Sequence, residues 1–152
     1  MPKTLTFALA AAVLVLCGTA PAMAWDFFGL IDNSYTVIFE DVPNIIDQQV
    51  YDGEEVLGEM DEITVRGGSV VATISVPTEK AGRITEDTVF YVETGRLRTY
   101  RLGDSTQVMP DGSYLLGFSD KLALDLFRAK RAVGDLGRAI REKAEELRGK
   151  LQ

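Results

Sequence analysis

The chain has 152 residues, with 16 lysines and arginines against 23 aspartates and glutamates, no histidine and a single cysteine, Cys17. Without histidine, and with its one thiol near the start, it can build neither a His-based catalytic triad nor a transition-metal site of the usual nitrogen and sulfur ligands. The acidic excess repels nucleic acid at long range, so no nucleic-acid partner is expected, and no cofactor.

Residues 1–24 read as a signal peptide. Lys3 precedes an apolar run over 5–16, and Ala22-Met23-Ala24 places small residues at the outer positions of a cleavage site before Trp25. Left uncleaved, the uncharged stretch from Thr4 to Trp25 is long enough to be a membrane anchor with Trp25 at the interface. Both readings stay open, and both put the rest of the chain outside the cytoplasm. Lipid attachment at Cys17 is disfavoured by the large Leu16 before it. All acidic residues and 15 of the basic ones follow Ala24, so the exported part carries a formal charge of −8 and no disulfide.

After a short lead, 25–34, the pattern turns to strands and turns. Tyr35, Val37 and Phe39 alternate with Thr36, Ile38 and Glu40, a strand whose second face, with Ile38, is less polar than usual. Short strands at 50–51 and 55–57 flank the Asp52-Gly53 turn. Residues 60–65 and 70–76 flank Arg66-Gly67-Gly68-Ser69, the clearest hairpin in the chain. A polar connection, 78–86, leads to strands over 88–93 and 97–102 around Thr94-Gly95. Two turns surround a short strand at 107–108, and 114–116 closes the set. Seven or so short strands with close turns point to a small barrel or sandwich.

From Ser119 the period changes. Leu122, Leu126, Ala129, Val133, Leu136, Ile140, Lys143 and Leu147 step by alternating fours and threes, a heptad seam broken at Lys143. Ser119 is the expected N-cap of one amphipathic helix over 119–149, about 45 Å long at 1.5 Å per residue. Gly134 and Gly137 inside it are tolerable where another helix approaches closely. Three fates are open for this helix: folding back over an end of the barrel, self-association, or lying on a membrane surface.

Carboxylates crowd 52–62 (Asp52, Glu54, Glu55, Glu59, Asp61, Glu62), but on short strands and turns they read as a solvated rim. Acid-base work needs two of them facing one cleft with separated pKa values. Gly53 and Gly58 lack phosphate-loop spacing. No catalytic residue, metal ligand or enzymatic activity is expected.

The string from Tyr35 through Pro43-Asn44, followed by Gly53, Val56, Gly58 and Ile63 in the 50–64 segment, then the 70–76 strand, the 84–92 stretch and Gly95, resembles the MCE (mammalian cell entry) domain over 35–117. The resemblance implies a seven-stranded barrel that assembles as a hexameric ring in the periplasm, partnered by an inner-membrane ABC permease and ATPase, with a channel for phospholipid. Members commonly keep an N-terminal membrane helix and an apolar loop after the glycine matching Gly95. This chain has a cleavable-looking start, and it reads Arg96-Leu97-Arg98-Thr99-Tyr100-Arg101 at that loop. Under the resemblance, Leu97 and Tyr100 would meet acyl chains and Arg96, Arg98 and Arg101 lipid phosphates; alternatively these are outward strand positions without a ligand. Leu122, Leu126, Val133, Leu136, Ile140 and Leu147 would line a channel or a dry seam. The expected role is a non-enzymatic lipid-transfer component. The alternative is a periplasmic structural or adaptor protein that oligomerises through its C-terminal helix.

Overall fold

The computed structural model describes residues 32–130 and 136–152. The cleavage-site residues Ala22, Ala24 and Trp25, and Val133 of the seam, lie outside the described residues. In chain order the elements are β1 (Asp32–Phe39), β2 (Gln49–Asp52), β3 (Glu55–Arg66), β4 (Ser69–Pro77), α1 (Thr78–Ala81), β5 (Thr88–Glu93), β6 (Arg96–Arg101), β7 (Tyr114–Phe118), α2 (Lys121–Ala129) and α3 (Leu136–Lys150).

The seven strands close into a barrel in the order β1-β4-β3-β2-β6-β5-β7, and helix follows it, as the sequence pattern requires. Alternation along each strand decides which side chains go inside. Tyr35, Val37 and Phe39 of β1 point inward with Ile74 of β4, Phe90 of β5 and Leu97 of β6, all fully buried in one core. The inside of the barrel is therefore packed with side chains. Closure falls to β7, which runs parallel to both neighbours, β1 and β5. Gly117 makes that strand fit, because a Cβ there would stand 2.6 Å from Cε1 of Phe39.

The outer wall carries a second buried cluster. Ile38, Val89 and Leu116 face outward and are covered by Leu124 of α2 and by Ile140 and Leu147 of α3. The apolar second face of β1 is thus explained by a helix lying on it.

Three local differences from the sequence pattern have physical causes. The two segments expected at 55–57 and 60–65 form one 12-residue strand, bent by a bulge between Met60 and Glu62. The strand expected at 107–108 is a single bridge, Thr85 to Val108, held by the Glu86 N–H to Gln107 carbonyl and Met109 N–H to Ile84 carbonyl bonds, because its partner 84–86 is too short to extend it. Segment 119–149 appears as two helices, capped at Asp120 rather than Ser119: the Asp120 Oδ1 accepts the Ala123 N–H at 2.7 Å. In place of a projecting rod, α3 returns to the barrel wall, where Ile140 and Leu147 lose their water. Nothing stands within 4 Å of a Cβ built at Gly137, so no helix approaches it among the described residues.

Gly58 of the β3 strand is required by space. A Cβ there would sit 2.2 Å from the carbonyl oxygen of Ser75 on the neighbouring strand. Gly82 has ordinary right-handed backbone and open space around it. Gly58→Ala should therefore destabilise the barrel by about 1–3 kcal/mol through strand displacement, whereas Gly82→Ala should be neutral or stabilise by up to about 1 kcal/mol. Urea denaturation of the two variants reads the difference in sign.

Candidate functional site

Strand β6 holds five of the residues that the sequence singles out, and it divides them between two environments. Leu97 is fully buried inside the barrel, paired across to Val92 of β5 and Val50 of β2. Tyr100 lies on the opposite face, in the outer cluster, edge-on to Tyr91 with ring centroids 6.5 Å apart and with the Arg128 guanidinium of α2 at 4.8 Å above its ring. The two residues share no surface, because three positions along a strand is an odd step. Leu97 is a core residue of the single chain.

Each of the three arginines faces carboxylates of its own chain. Arg96 Nε stands 3.7 Å from Asp47 and its guanidinium lies 5.1 Å over the Tyr51 ring. Asp47 itself is held below its usual value, first by the Gln49 N–H and then by the Tyr51 hydroxyl, which donates to it at 2.7 Å. Arg98 is mostly buried; its Nη1 donates to the Gly53 carbonyl at 3.0 Å, while its Nε sits 3.5 Å from Glu93 without a hydrogen-bonded partner among the described residues. Arg101 donates to the Ser105 carbonyl at 2.5 Å and pairs with Asp87 at 3.7 Å.

Asp87 is the centre of a buried polar knot that the sequence reading passed over. Its Oδ1 accepts the Thr85 hydroxyl, its Oδ2 accepts the Ser105 N–H at 2.9 Å, and Arg101 stands beside it. Burial opposes the charge, but the hydroxyl, the N–H and the guanidinium together outweigh it and hold the carboxyl below the ordinary 3.8. The knot clamps the connection between β6 and β7 to the start of β5. Its signal in the sequence is an aspartate within reach of two threonines, Thr85 and Thr88, in a segment otherwise read as a polar linker.

The seam residues separate in the same way. Leu122 and Leu126 of α2 are 67% and 50% exposed, while Ile140 and Leu147 of α3 are buried on the barrel; Leu136 opens α3. Lys143, the break in the seam, reaches Glu40 of the barrel at 3.2 Å and Glu146 at 3.5 Å, so a charge stands there because it ties the helix down. Between α2, α3 and the barrel rim runs a cleft of about 720 Å³ lined by Leu116, Phe118, Leu126 and Phe127 together with Lys130 and Lys143. Of the other motif positions, Gly53 turns β2 into β3, Val56 offers its carbonyl to Lys80 at 2.6 Å, and Ile63 is 42% exposed. Gly95, with φ of 76°, sits under the Ile46 side chain in a turn that tolerates little besides glycine.

Some of the crowded carboxylates are answered by cations of the same chain. Asp52 and Glu55 pair with Arg83 at 3.5 and 2.7 Å, and Lys80 adds to Glu55 at 3.4 Å. Among the described residues there is no group of three or more metal-ligating side chains, and no helix is long and apolar enough to cross a membrane.

No family model matches the sequence, and no curated protein matches it. Among solved structures, one chain of the Acinetobacter MlaFEDB complex in its ATP-bound Vtrans1 conformation is similar to it. The likeness is one of fold. The two chains are 13% identical with a TM-score of 0.51, and the match covers 82% of this chain and 98% of that one. The MlaFEDB chain thus shares the fold over nearly its whole length, at an identity too low to transfer the role of any single residue.

Two expectations follow. Leu147→Ala should cost about 2–5 kcal/mol by opening a cavity under α3, against about 0.5 kcal/mol or less for the exposed Leu122→Ala, read by urea denaturation. Because the folded-state value of Asp87 lies below its unfolded value of 3.8, its contribution is present above that pH and is lost as pH falls through 3.8 towards the folded-state value. Asp87→Asn should be less stable than the parent by about 1–3 kcal/mol at neutral pH, and the gap should narrow on acidification below pH 4 in thermal melts.

Proposed function

We propose that this chain is a non-enzymatic subunit of an envelope assembly that carries phospholipid or a similar hydrophobic molecule across the periplasm. The observation that carries the reading is a closed barrel whose interior is filled, joined to the fold likeness with a chain of the MlaFEDB complex. A filled barrel has no passage of its own, so a route for an acyl chain must be built between copies. That makes a ring the economical arrangement, and the MCE resemblance at Gly53, Val56, Gly58, Ile63 and Gly95 favours six members. The partners in this reading are an inner-membrane permease and its ATPase.

In such a ring, Tyr100, Arg96 and Arg98 belong to the outer face of each barrel and Arg101 to the strand end beside Asp87, while Leu122 and Leu126 supply apolar surface near its rim. Burying each CH₂ of a tail is worth about 0.8 kcal/mol, so continuity of such surface between subunits is what transport requires. The covalent chemistry of an enzyme has no place in it.

Native mass spectrometry of the protein gently extracted from its own envelope, with released small molecules identified in the same run, tests the proposal. A six-membered assembly carrying phospholipid is expected, and the subunit mass also reports whether residues 1–24 remain. A lipid-free monomer or dimer, stable across extraction conditions, would overturn it in favour of an adaptor role.

A further inference from the structure

Among the described residues, β3 runs well past its neighbour β2 and leaves a strand edge open. β2 pairs with β3 only from Gln49 opposite Glu59 to Asp52 opposite Glu55, and the Met60 N–H to Gln48 carbonyl bond, 2.7 Å, continues that side by one residue. β3 runs on to Arg66, bonded on its other side to β4 through Arg66 opposite Ser69. Residues 61–66 are therefore paired on one side only, to β4, whose 70–73 stretch is in turn paired to β1, and among the described residues their β2-facing edge carries unpaired backbone groups. Such edges in soluble proteins are normally blunted by charge, proline or a covering segment. Here the segment presents Ile63 and Val65, 42% and 73% exposed, on the face they share with Ala72 and Val70.

The edge also matches itself. When two copies of Glu62-Ile63-Thr64-Val65-Arg66 are laid antiparallel about Thr64, Glu62 meets Arg66 and Ile63 meets Val65 at both ends, with Thr64 opposite Thr64. Opposed residues of an antiparallel pair point to the same face. The four apolar side chains thus come together on one face, and the two charge pairs with the threonines on the other. Neither Glu62 nor Arg66 has an ion-pair partner within the chain among the described residues. A one-residue slip would set Ile63 against Thr64 and lose both the apolar and the charge matches, so the register is specified.

We propose that this edge is an interface with a second copy of the chain, formed by antiparallel pairing of residues 62–66 about a two-fold axis at Thr64. The contact is isologous and stops at two, whereas the contacts of a ring run head to tail. It therefore goes beyond the transport reading: it joins one assembly to another through the barrel end that carries the β3–β4 hairpin.

Disulfide trapping in the full chain tests it, with Cys17→Ser removing the native thiol. Thr64→Cys should give a disulfide-linked dimer under mild oxidation. Ile63→Cys and Val65→Cys should each link poorly alone and form a mixed dimer when combined. Glu54→Cys, on a fully exposed turn, reports random collision. Failure of Thr64→Cys to link above the Glu54→Cys level would overturn the proposal, as would a linked product of another mass, which would mean that a different protein's strand occupies the edge. As a check that avoids thiols, Ile63→Lys with Val65→Lys should abolish dimer in sedimentation while leaving the thermal midpoint of the barrel in place; a dimer that survives would also overturn it. A lipid-loaded ring with no disulfide at position 64 would remove this interface and leave the transport reading intact, and a lipid-free dimer linked at position 64 would do the reverse.

Discussion

The architecture depends on one short strand. Tyr114–Phe118 is parallel to both its neighbours and, among the described residues, is the strand that joins β1 to β5. Its inward residue, Leu115, adds to the barrel core; its outward residues, Leu116 and Phe118, belong to the cluster beneath the helices. Parallel pairing is slightly weaker per residue than antiparallel, and β7 has two such contacts and five residues. The helices compensate by removing its outer face from water, so barrel closure and helix docking are one cooperative event.

The same economy governs the charges. A surface with many acidic residues would be expected to leave its arginines available, yet those of β6 are answered by Asp47, Glu93 and Asp87 of the same chain. Lys143 is likewise consumed in holding α3 to Glu40. Exposed ion pairs of this kind contribute little individually; their effect here is positional, fixing loops and a helix against a barrel whose interior supplies the bulk of the stability. Among the described residues, the outer side of α2 and the hairpin end of β3 remain uncommitted, the latter with Ile63 and Val65 beside the unpaired Glu62 and Arg66.

Much of the barrel was legible in the sequence because its strands alternate cleanly and its turns are marked. The Thr88–Glu93 strand and the hairpin around Gly67-Gly68 fall where pattern alone puts them, and Ile38 marks the second face of β1 as less polar than usual. The helical region was less legible, since a heptad seam describes which residues are apolar but not what covers them. Leu126 and Leu147 occupy equivalent seam positions, yet one is half exposed and the other buried against the barrel. On β6, alternation could separate Leu97 from Tyr100, but a strand pattern has no absolute sense of inside until its neighbours are known. The Asp87 knot escaped because it joins Thr85 and Asp87 to Arg101 and Ser105, two short stretches more than a dozen residues apart whose members are individually ordinary.

The position of β7 has a consequence for biogenesis. β1 waits for a partner nearly eighty residues downstream, and the three parallel contacts, β1 with β7, β5 with β7 and β2 with β6, all close over intervening chain. Such nonlocal pairings are slow because the loop entropy must be lost before the contact forms. A chain made N-terminus first can assemble the β3–β4 hairpin early, but it carries unpaired strands until residue 118 has emerged. Through that interval it is an open, sticky sheet, and its survival depends on how soon β7 arrives.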